Sequence, residues 1–170
     1  MACNQTLAGI AKDCSPSIGG IKSVRLANFD EITSVTVGED GIITAITPTE
    51  TAGFKKYAFR AETCSMTSTL TKNIQNGTQY WATDLVLSFS KQETAKRIEI
   101  NAMAVNDMVA IVEDMNGKFW YLGHDEPIVA TAGDIQSGTA RADKNGYSIT
   151  LQDNAAQSPY EVAASVVEGL

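Results

Sequence analysis

The sequence predicts a mainly β protein: an antiparallel β-sandwich or barrel with one packed α-helix and a long protruding hairpin. Turn signals recur at roughly 8–12-residue spacing between short runs of β-branched residues, as in sandwiches and barrels. Seventeen threonines suit a pleated surface better than a helix. The segment Ser90–Val109 alone has the period of an amphipathic helix. Together these observations predict two β layers with a helix packed on them.

The 170 residues are enough for one domain with a sizeable core. Residues 1–19, which are rich in small and polar residues, predict an N-terminal arm, and residues 20–170 predict a single β-sandwich or barrel domain. No apolar run is long enough to cross a bilayer, so we expect no membrane anchor. The first residues lack a basic region followed by an apolar core, so we expect synthesis in the cytoplasm without a secretory signal.

The first half of the domain predicts four strands before the long hairpin. Ile21–Phe29 alternates in polarity, and an Asp-Gly turn joins Thr33–Val37 to Ile42–Thr47, which is a strong hairpin signal. Phe54–Thr63 alternates again, with aromatic residues on one face and charged residues on the other. We therefore expect a half-buried strand there.

The protruding hairpin is predicted from two long arms and the Asn-Gly that ends the turn between them. Thr63–Thr71 and Thr78–Phe89 face each other across Asn73–Gly77. Three threonines on one side of the first arm make a poor core element and a good contact element: Thr67, Thr69 and Thr71. The alternative interpretation is an ordinary pair of sheet strands.

The helix Ser90–Val109 is predicted to start with a capping box formed by Ser90 and Glu93. Its apolar stripe, expected to face the sheet, consists of Ala95, Ile98, Ala102, Val105 and Val109. Ile100 and Met103 fall on nearly the opposite side of the helix. An apolar pair there fits a helix that a neighbouring subunit covers, so both join the three threonines as candidate subunit-interface residues.

Further strands follow the helix, two of them in a hairpin closed by Asn116-Gly117. The predicted segments are Val109–Met115, Lys118–Gly123 and Ile128–Ala132, then Ser137–Asp143 paired with Tyr147–Leu151 across a second Asn-Gly. Tyr160–Val167 is apolar and fits either a strand or a helix.

The charge is distributed unevenly along the chain. The formal net charge is −7, yet residues 1–101 carry ten charges of each sign, whereas residues 102–170 carry ten acids and three bases. This excess is either a solvated face or a surface that repels a polyanion. Both interpretations argue against conventional DNA binding, which needs a concentrated basic footprint. The candidate acidic surface comprises Glu113, Asp114, Asp125, Glu126, Asp134, Asp143 and Asp153.

Little in the sequence points to catalysis. His124 is the single histidine, its neighbouring acids are poorly placed in sequence to orient it, and no nucleophile elbow occurs. We expect no catalytic residues, no cofactor and no metal site, and hence no enzyme. Cys3, Cys14 and Cys64 are an odd, widely spaced set, which predicts free thiols, although a Cys3–Cys14 bridge stays open.

Several of these features occur together in one viral family. A Gly-Gly-Ile-Lys-Ser-Val-Arg-Leu-Ala-Asn-Phe-Asp opening follows the small-residue arm, and an Asp-Lys-Asn-Gly-Tyr-Ser-Ile-Thr-Leu hairpin closes the domain. With the hairpin Cys64–Phe89 and the helix Ser90–Val109 between them, the chain resembles the major tail tube proteins of long-tailed, siphovirus-like bacteriophages. The resemblance is architectural and covers most of the chain.

The resemblance implies a structural virion protein that assembles with itself. In that family, subunits form rings, commonly hexamers, whose sheets join into one inner barrel, and the rings stack into the tail tube through which DNA is ejected. It implies a location in the phage tail, other tail proteins as partners, and DNA as passing cargo that is not specifically bound. An alternative is a virion decoration or adhesion β-sandwich module that binds a receptor or glycan.

Overall fold

The computed structural model describes residues 7–49 and 53–170. Two sheets pack as a sandwich with one long helix, so the predicted mainly β fold is confirmed, and neither sheet closes into a barrel. The strands are β1 Ile21–Asn28, β2 Ile32–Val37, β3 Ile42–Pro48, β4 Lys55–Ala58, β5 Ser65–Asn73, β6 Thr78–Ser90, β7 Met108–Asp114, β8 Phe119–Leu122, β9 Val129–Gln136, β10 Gly146–Ala155 and β11 Tyr160–Val162. The helices are α1 Thr94–Val105 and α2 Ala164–Glu168, and a 3-10 turn spans Phe29–Glu31.

The larger sheet has seven strands in the order β2-β3-β11-β8-β7-β1-β4, and the smaller has four in the order β5-β6-β10-β9. Neighbouring strands are antiparallel except β3 and β11. Four of the ten connections between consecutive strands are hairpins, β2–β3, β5–β6, β7–β8 and β9–β10, and the Asp-Gly and Asn-Gly turns predict the first three of them.

The core lies on both faces of the seven-stranded sheet. Toward the smaller sheet, Val24 and Val112 pack in one cluster with Leu85 and Leu151. On the opposite face, a second cluster under α2 contains Val109, Ile111, Tyr121 and Val167. Six consecutive residues of β7, from Met108 to Glu113, are therefore buried, whereas a strand at a sandwich surface would alternate.

The predicted orientation of the helix is wrong. Met103 is 3% exposed and Ile100 packs against the core, whereas Ile98 and Val105 are 57% and 83% exposed. The least exposed stripe runs through Glu93, Lys96, Ile100 and Met103 at helical spacing; Met103 is buried and the other three are half-buried. Because two of its four positions hold charged residues, whose aliphatic stems cover apolar surface, a stripe defined by hydrophobicity falls on the wrong face.

The predicted start of the helix is also wrong. Ser90 is the last residue of β6 and pairs with Gly146, so it cannot cap the helix. Glu93 is the N-cap residue and makes no side-chain cap hydrogen bond. Its carboxylate instead pairs with Lys91 and Lys96. The strand continues through Ser90 because ten register pairs with β10 outweigh a local cap.

The predicted strand Ser137–Asp143 is a loop. Gly138 has a positive φ of 71°, and the Asp143 carboxylate accepts hydrogen bonds from the backbone N–H groups of Thr139 and Ala140. These local bonds compete with a strand ladder. The strand β10 pairs instead with β9, which extends beyond the predicted Ile128–Ala132.

The remaining boundaries follow local chemistry. The segment Phe54–Thr63 forms only the four-residue β4, since Glu62 adopts a positive φ of 62° in a turn. Tyr160–Val167 is both strand and helix, β11 followed by α2.

Cys14 is exposed and Cys64 buried, and both are free, while Cys3 lies outside the described residues. Of the helices described, none has the length and apolarity needed to cross a membrane.

Candidate assembly surfaces

The β5–β6 hairpin extends beyond the sandwich. Its strands pair from Ser65 opposite Val86 to Asn73 opposite Thr78, whereas β10 accompanies β6 only as far as Trp81. The distal residues 69–80 are all exposed. The predicted long protruding hairpin is therefore present, and its outer part is held by the β5–β6 ladder alone.

The projecting hairpin carries exposed apolar side chains. Ile74 at the tip is 86% exposed, and Leu70 and Tyr80 are each more than 40% exposed. Apolar residues grouped on a projecting element are typical of contact surfaces. Thr67, Thr69 and Thr71 are also exposed and lie opposite Asp84, Ala82 and Tyr80 on the outward face of the sheet. Their role at a subunit interface remains a prediction.

Both edges of the four-stranded sheet lack a further strand. Within residues 7–49 and 53–170, β5 pairs only with β6, and β9 pairs only with β10. All three strand pairs are antiparallel, so the even number of strands makes β5 and β9 run in opposite directions. Unpaired edges of this kind are templates for pairing with another chain.

The outward face of this sheet is polar and nearly uncharged. Hydroxyl and amide side chains dominate it, and Gln152 donates a 2.9 Å hydrogen bond to Asp84 across β10 and β6. Asp84 and Asp134 are its acids, and the described outward positions of the four strands hold no lysine or arginine. Charge counted along the sequence does not single out Asp84, because this face combines residues from two separate parts of the chain, β5–β6 and β9–β10.

The predicted acidic surface is wrong for two of its members. Glu113 is 6% exposed, receives hydrogen bonds from Lys22 Nζ at 2.7 Å and Ser23 Oγ at 2.6 Å, and belongs to the seven-stranded sheet. Burial raises the pKa of Glu113, but these hydrogen bonds outweigh it and the pKa falls below its usual value. Asp153 is 3% exposed, on the inner face of the smaller sheet.

The other candidate acids lie apart and serve local structure. Asp114 accepts hydrogen bonds from the backbone N–H groups of Asn116 and Lys118 in the β7–β8 turn. Asp143 closes the β9–β10 loop, and Asp134 contacts Gln136. Asp125 and Glu126 are exposed in the β8–β9 loop. The seven acids therefore do not form one continuous surface.

Asp153 is a buried carboxylic acid on the inner face of the four-stranded sheet, opposite the buried Thr83. One carboxylate oxygen, Oδ1, has no hydrogen-bond partner among the described residues. Burial raises the pKa of Asp153 to about 6, and the charges of Asp125 and Glu126 act in the same direction. The side chain is thus a buried acid whose ionisation is costly.

His124 lies in the β8–β9 loop near Asp153 and contacts two residues there. Its Nδ1 lies 2.9 Å from Asp125 Oδ1, and its ring is 4.9 Å from that of Tyr160. Asp125 Oδ2 accepts a hydrogen bond from the backbone of Ala156, which lowers the pKa of Asp125 after the larger effect of His124. The described residues include no group of three potential metal ligands.

Comparison of the chain with protein-family models, curated proteins and solved structures finds no match. The fold and its surfaces are therefore the basis for assigning function. They define a β-sandwich whose four-stranded sheet has two unpaired edges, a projecting hairpin and a polar outer face. The seven-stranded sheet also ends in edge strands, β2 and β4, but the projecting hairpin and the polar outer face belong to the four-stranded sheet.

Proposed function

We propose that the protein is a structural virion subunit that assembles into stacked rings forming a phage tail tube. The observation that carries this proposal is the pair of unpaired, oppositely directed edges on the four-stranded sheet. The resemblance noted from the sequence supports the same class of protein.

The direction of the edge strands supports ring formation. In copies related by rotation about one axis, β5 of one copy would lie beside β9 of the next, and the two would run antiparallel. Their lengths are similar, nine and eight residues. Closing the ring would satisfy both edges of the four-stranded sheet and produce a continuous antiparallel barrel. The resemblance implies six copies.

The outward face of this sheet supports a lumenal position. A surface of hydroxyl and amide groups with Asp84 and Asp134 but no cation offers DNA no Lys or Arg contact to its phosphates, which is the main source of affinity for DNA. DNA would pass such a wall without specific binding. We infer that this face, together with Thr67, Thr69 and Thr71, lines the conduit.

Two exposed apolar segments support contacts between rings. The hairpin presents Ile74, and the arm presents Leu7 and Ile10, which are 94% and 102% exposed. The arm is attached through Ile18, whose backbone N–H and C=O both hydrogen-bond to the Asn116 amide. Other tail proteins would meet the same segments at the tube ends.

The first test is negative-stain electron microscopy of the purified protein over a concentration series. We expect rings and hollow stacks. Uniform small particles at every concentration would contradict the proposal and favour the decoration or adhesion module, which would stay monomeric or trimeric.

A paired variant tests the edge strand itself. Thr67→Lys with Thr69→Lys places charge on the unpaired β5, as natural edge strands do to prevent pairing. Thr33→Lys with Thr36→Lys, on exposed positions of the edge strand β2 of the larger sheet, is the matched control. We expect the first variant to remain folded but form no rings and the control to assemble normally. Equal assembly of both would remove β5 from the interface.

A further inference from the structure

One end of the subunit is basic. Residues 90–97 and 137–145 meet there, since Lys91 donates its backbone N–H to Asn145 O at 2.6 Å and Gln92 donates to Asn145 Oδ1 at 3.0 Å. This basic end carries five cations and two acids: Lys91, Lys96, Arg97, Arg141 and Lys144 against Glu93 and Asp143. The excess is three positive charges in a chain whose net charge is −7.

Another end is acidic. Residues 28–31, 105–107 and 123–127 meet there: Phe29 donates its N–H to Asp107 O at 3.0 Å, and one cavity is lined by Phe29, Gly123 and His124. These three segments carry five acids and no lysine or arginine, and Lys55 of β4 lines a cavity with Glu31 and Asn106 beside them. The five acids of this acidic end are Asp30, Glu31, Asp107, Asp125 and Glu126. Val105, 83% exposed, lies among them.

Two elements place these ends on opposite sides of the subunit. The helix α1 starts just after Ser90 and ends at Val105, a rise of about 18 Å over its twelve residues. The strand β10 starts after Asn145, and the next residue beyond it, Ala156, donates its N–H to Asp125. The helix dipole points the same way, with its positive N-terminus at the basic end.

We propose that subunits stack head to tail, with the basic end of one copy on the acidic end of a second copy. This inference rests on the proposed tube function and identifies the contact that sets the direction of stacking. Like ends repel, so a copy added upside down is rejected. A head-to-tail contact also leaves a free end of each kind, which lets the stack grow.

Each end holds three exposed charges that are available for such a contact. Among the described residues, none of the ion pairs engages these six side chains, which are Arg97, Arg141 and Lys144 at the basic end and Asp30, Asp107 and Glu126 at the acidic end. Because all six are exposed, their reversal should leave the fold intact, which circular dichroism checks.

The test reverses each set and then mixes the products. One variant combines Arg97→Glu, Arg141→Glu and Lys144→Glu, and the other combines Asp30→Lys, Asp107→Lys and Glu126→Lys. We expect each alone to form single rings and to need at least about tenfold more protein to form stacks, because like charges now meet. An equimolar mixture should stack again, because rings with two acidic ends alternate with rings with two basic ends.

A control reverses an exposed acid of α2, outside the residue ranges that define both ends, Glu168→Lys, and should stack like the wild type. Wild-type stacks should also separate into rings between about 0.1 M and 1 M salt, as the Debye length falls from about 10 Å to about 3 Å.

The outcomes separate this inference from the proposed function. Normal stacking of either reversed variant, no recovery on mixing, or salt-independent stacks would overturn the head-to-tail contact while rings still form. Wild-type protein that forms neither rings nor stacks would overturn the tube proposal and this inference together.

Discussion

The two sheets of the sandwich differ in how much of their surface the subunit itself uses. The seven-stranded sheet is covered on both faces around β7, where residues such as Val109 and Ile111 are at most 1% exposed. The four-stranded sheet buries only its inner face, through residues such as Leu85 and Leu151, and leaves its outer face, its edges and its hairpin uncovered.

This difference separates stability from assembly. Apolar burial on two faces makes the larger sheet the main source of the free energy of folding. The smaller sheet contributes one face to the core and exposes its outer face, its edges and its hairpin to solvent. Pairing of these parts with another chain would not disturb the core. Substitutions in the two sheets should therefore have different consequences, which the first comparison below tests; two further comparisons contrast buried with exposed positions in α1 and around Asp153.

The largest expected effect is in β7. Ile111→Asp places an unpaired charge at a side chain that is 0% exposed, so we expect it to unfold the subunit, with a loss of more than about 4 kcal/mol. Ile74→Asp, at the exposed hairpin tip, should change the free energy of unfolding by less than about 0.5 kcal/mol. Urea unfolding followed by circular dichroism measures both. Comparable losses would contradict the division between the sheets.

The next effect concerns α1, which bridges the layers. Met103→Ala removes a buried side chain from the core cluster and should cost about 2–5 kcal/mol. Ile98→Ala, on the exposed face of the same helix, should cost less than about 0.5 kcal/mol. Thermal unfolding of the two variants compares them directly. A larger loss of stability for Ile98→Ala than for Met103→Ala would contradict the observed orientation and favour the one that the hydrophobic pattern predicts.

The third effect depends on pH and comes from Asp153. Folding raises its pKa from 3.8 to about 6, so the folded state keeps a proton that the unfolded state releases. Stability therefore decreases as pH rises from about 4 to about 6 and then levels off, by about 3 kcal/mol in total. Below the unfolded-state pKa the penalty is absent.

The variant Asp153→Asn isolates this contribution. Relative to the wild type, it should gain about 3 kcal/mol between about pH 4 and pH 7, measured by urea unfolding at each pH. Glu39→Gln, an exposed carboxyl in the β2–β3 turn, is the control and should show no such gain. A constant difference between wild type and Asp153→Asn would mean that the buried acid does not lose its proton in this range.

The sequence by itself determined most of the strands and the pairing of three hairpins. An Asp-Gly or Asn-Gly between alternating runs fixes a hairpin locally, as in β2–β3, β5–β6 and β7–β8, because the turn and both strands lie within about twenty residues. The single long helix and the protruding hairpin follow from the same local signals.

Only the tertiary structure decided which faces are buried. The helix buries Met103 through a stripe that also contains Glu93 and Lys96, because charged side chains can cover the core with their stems. Likewise Glu113 and Asp153 are buried because long-range partners or neighbouring strands enclose them. The two oppositely charged ends are each formed by segments that are distant in sequence. Burial and charge at these sites depend on contacts between layers, which periodicity within one segment does not encode.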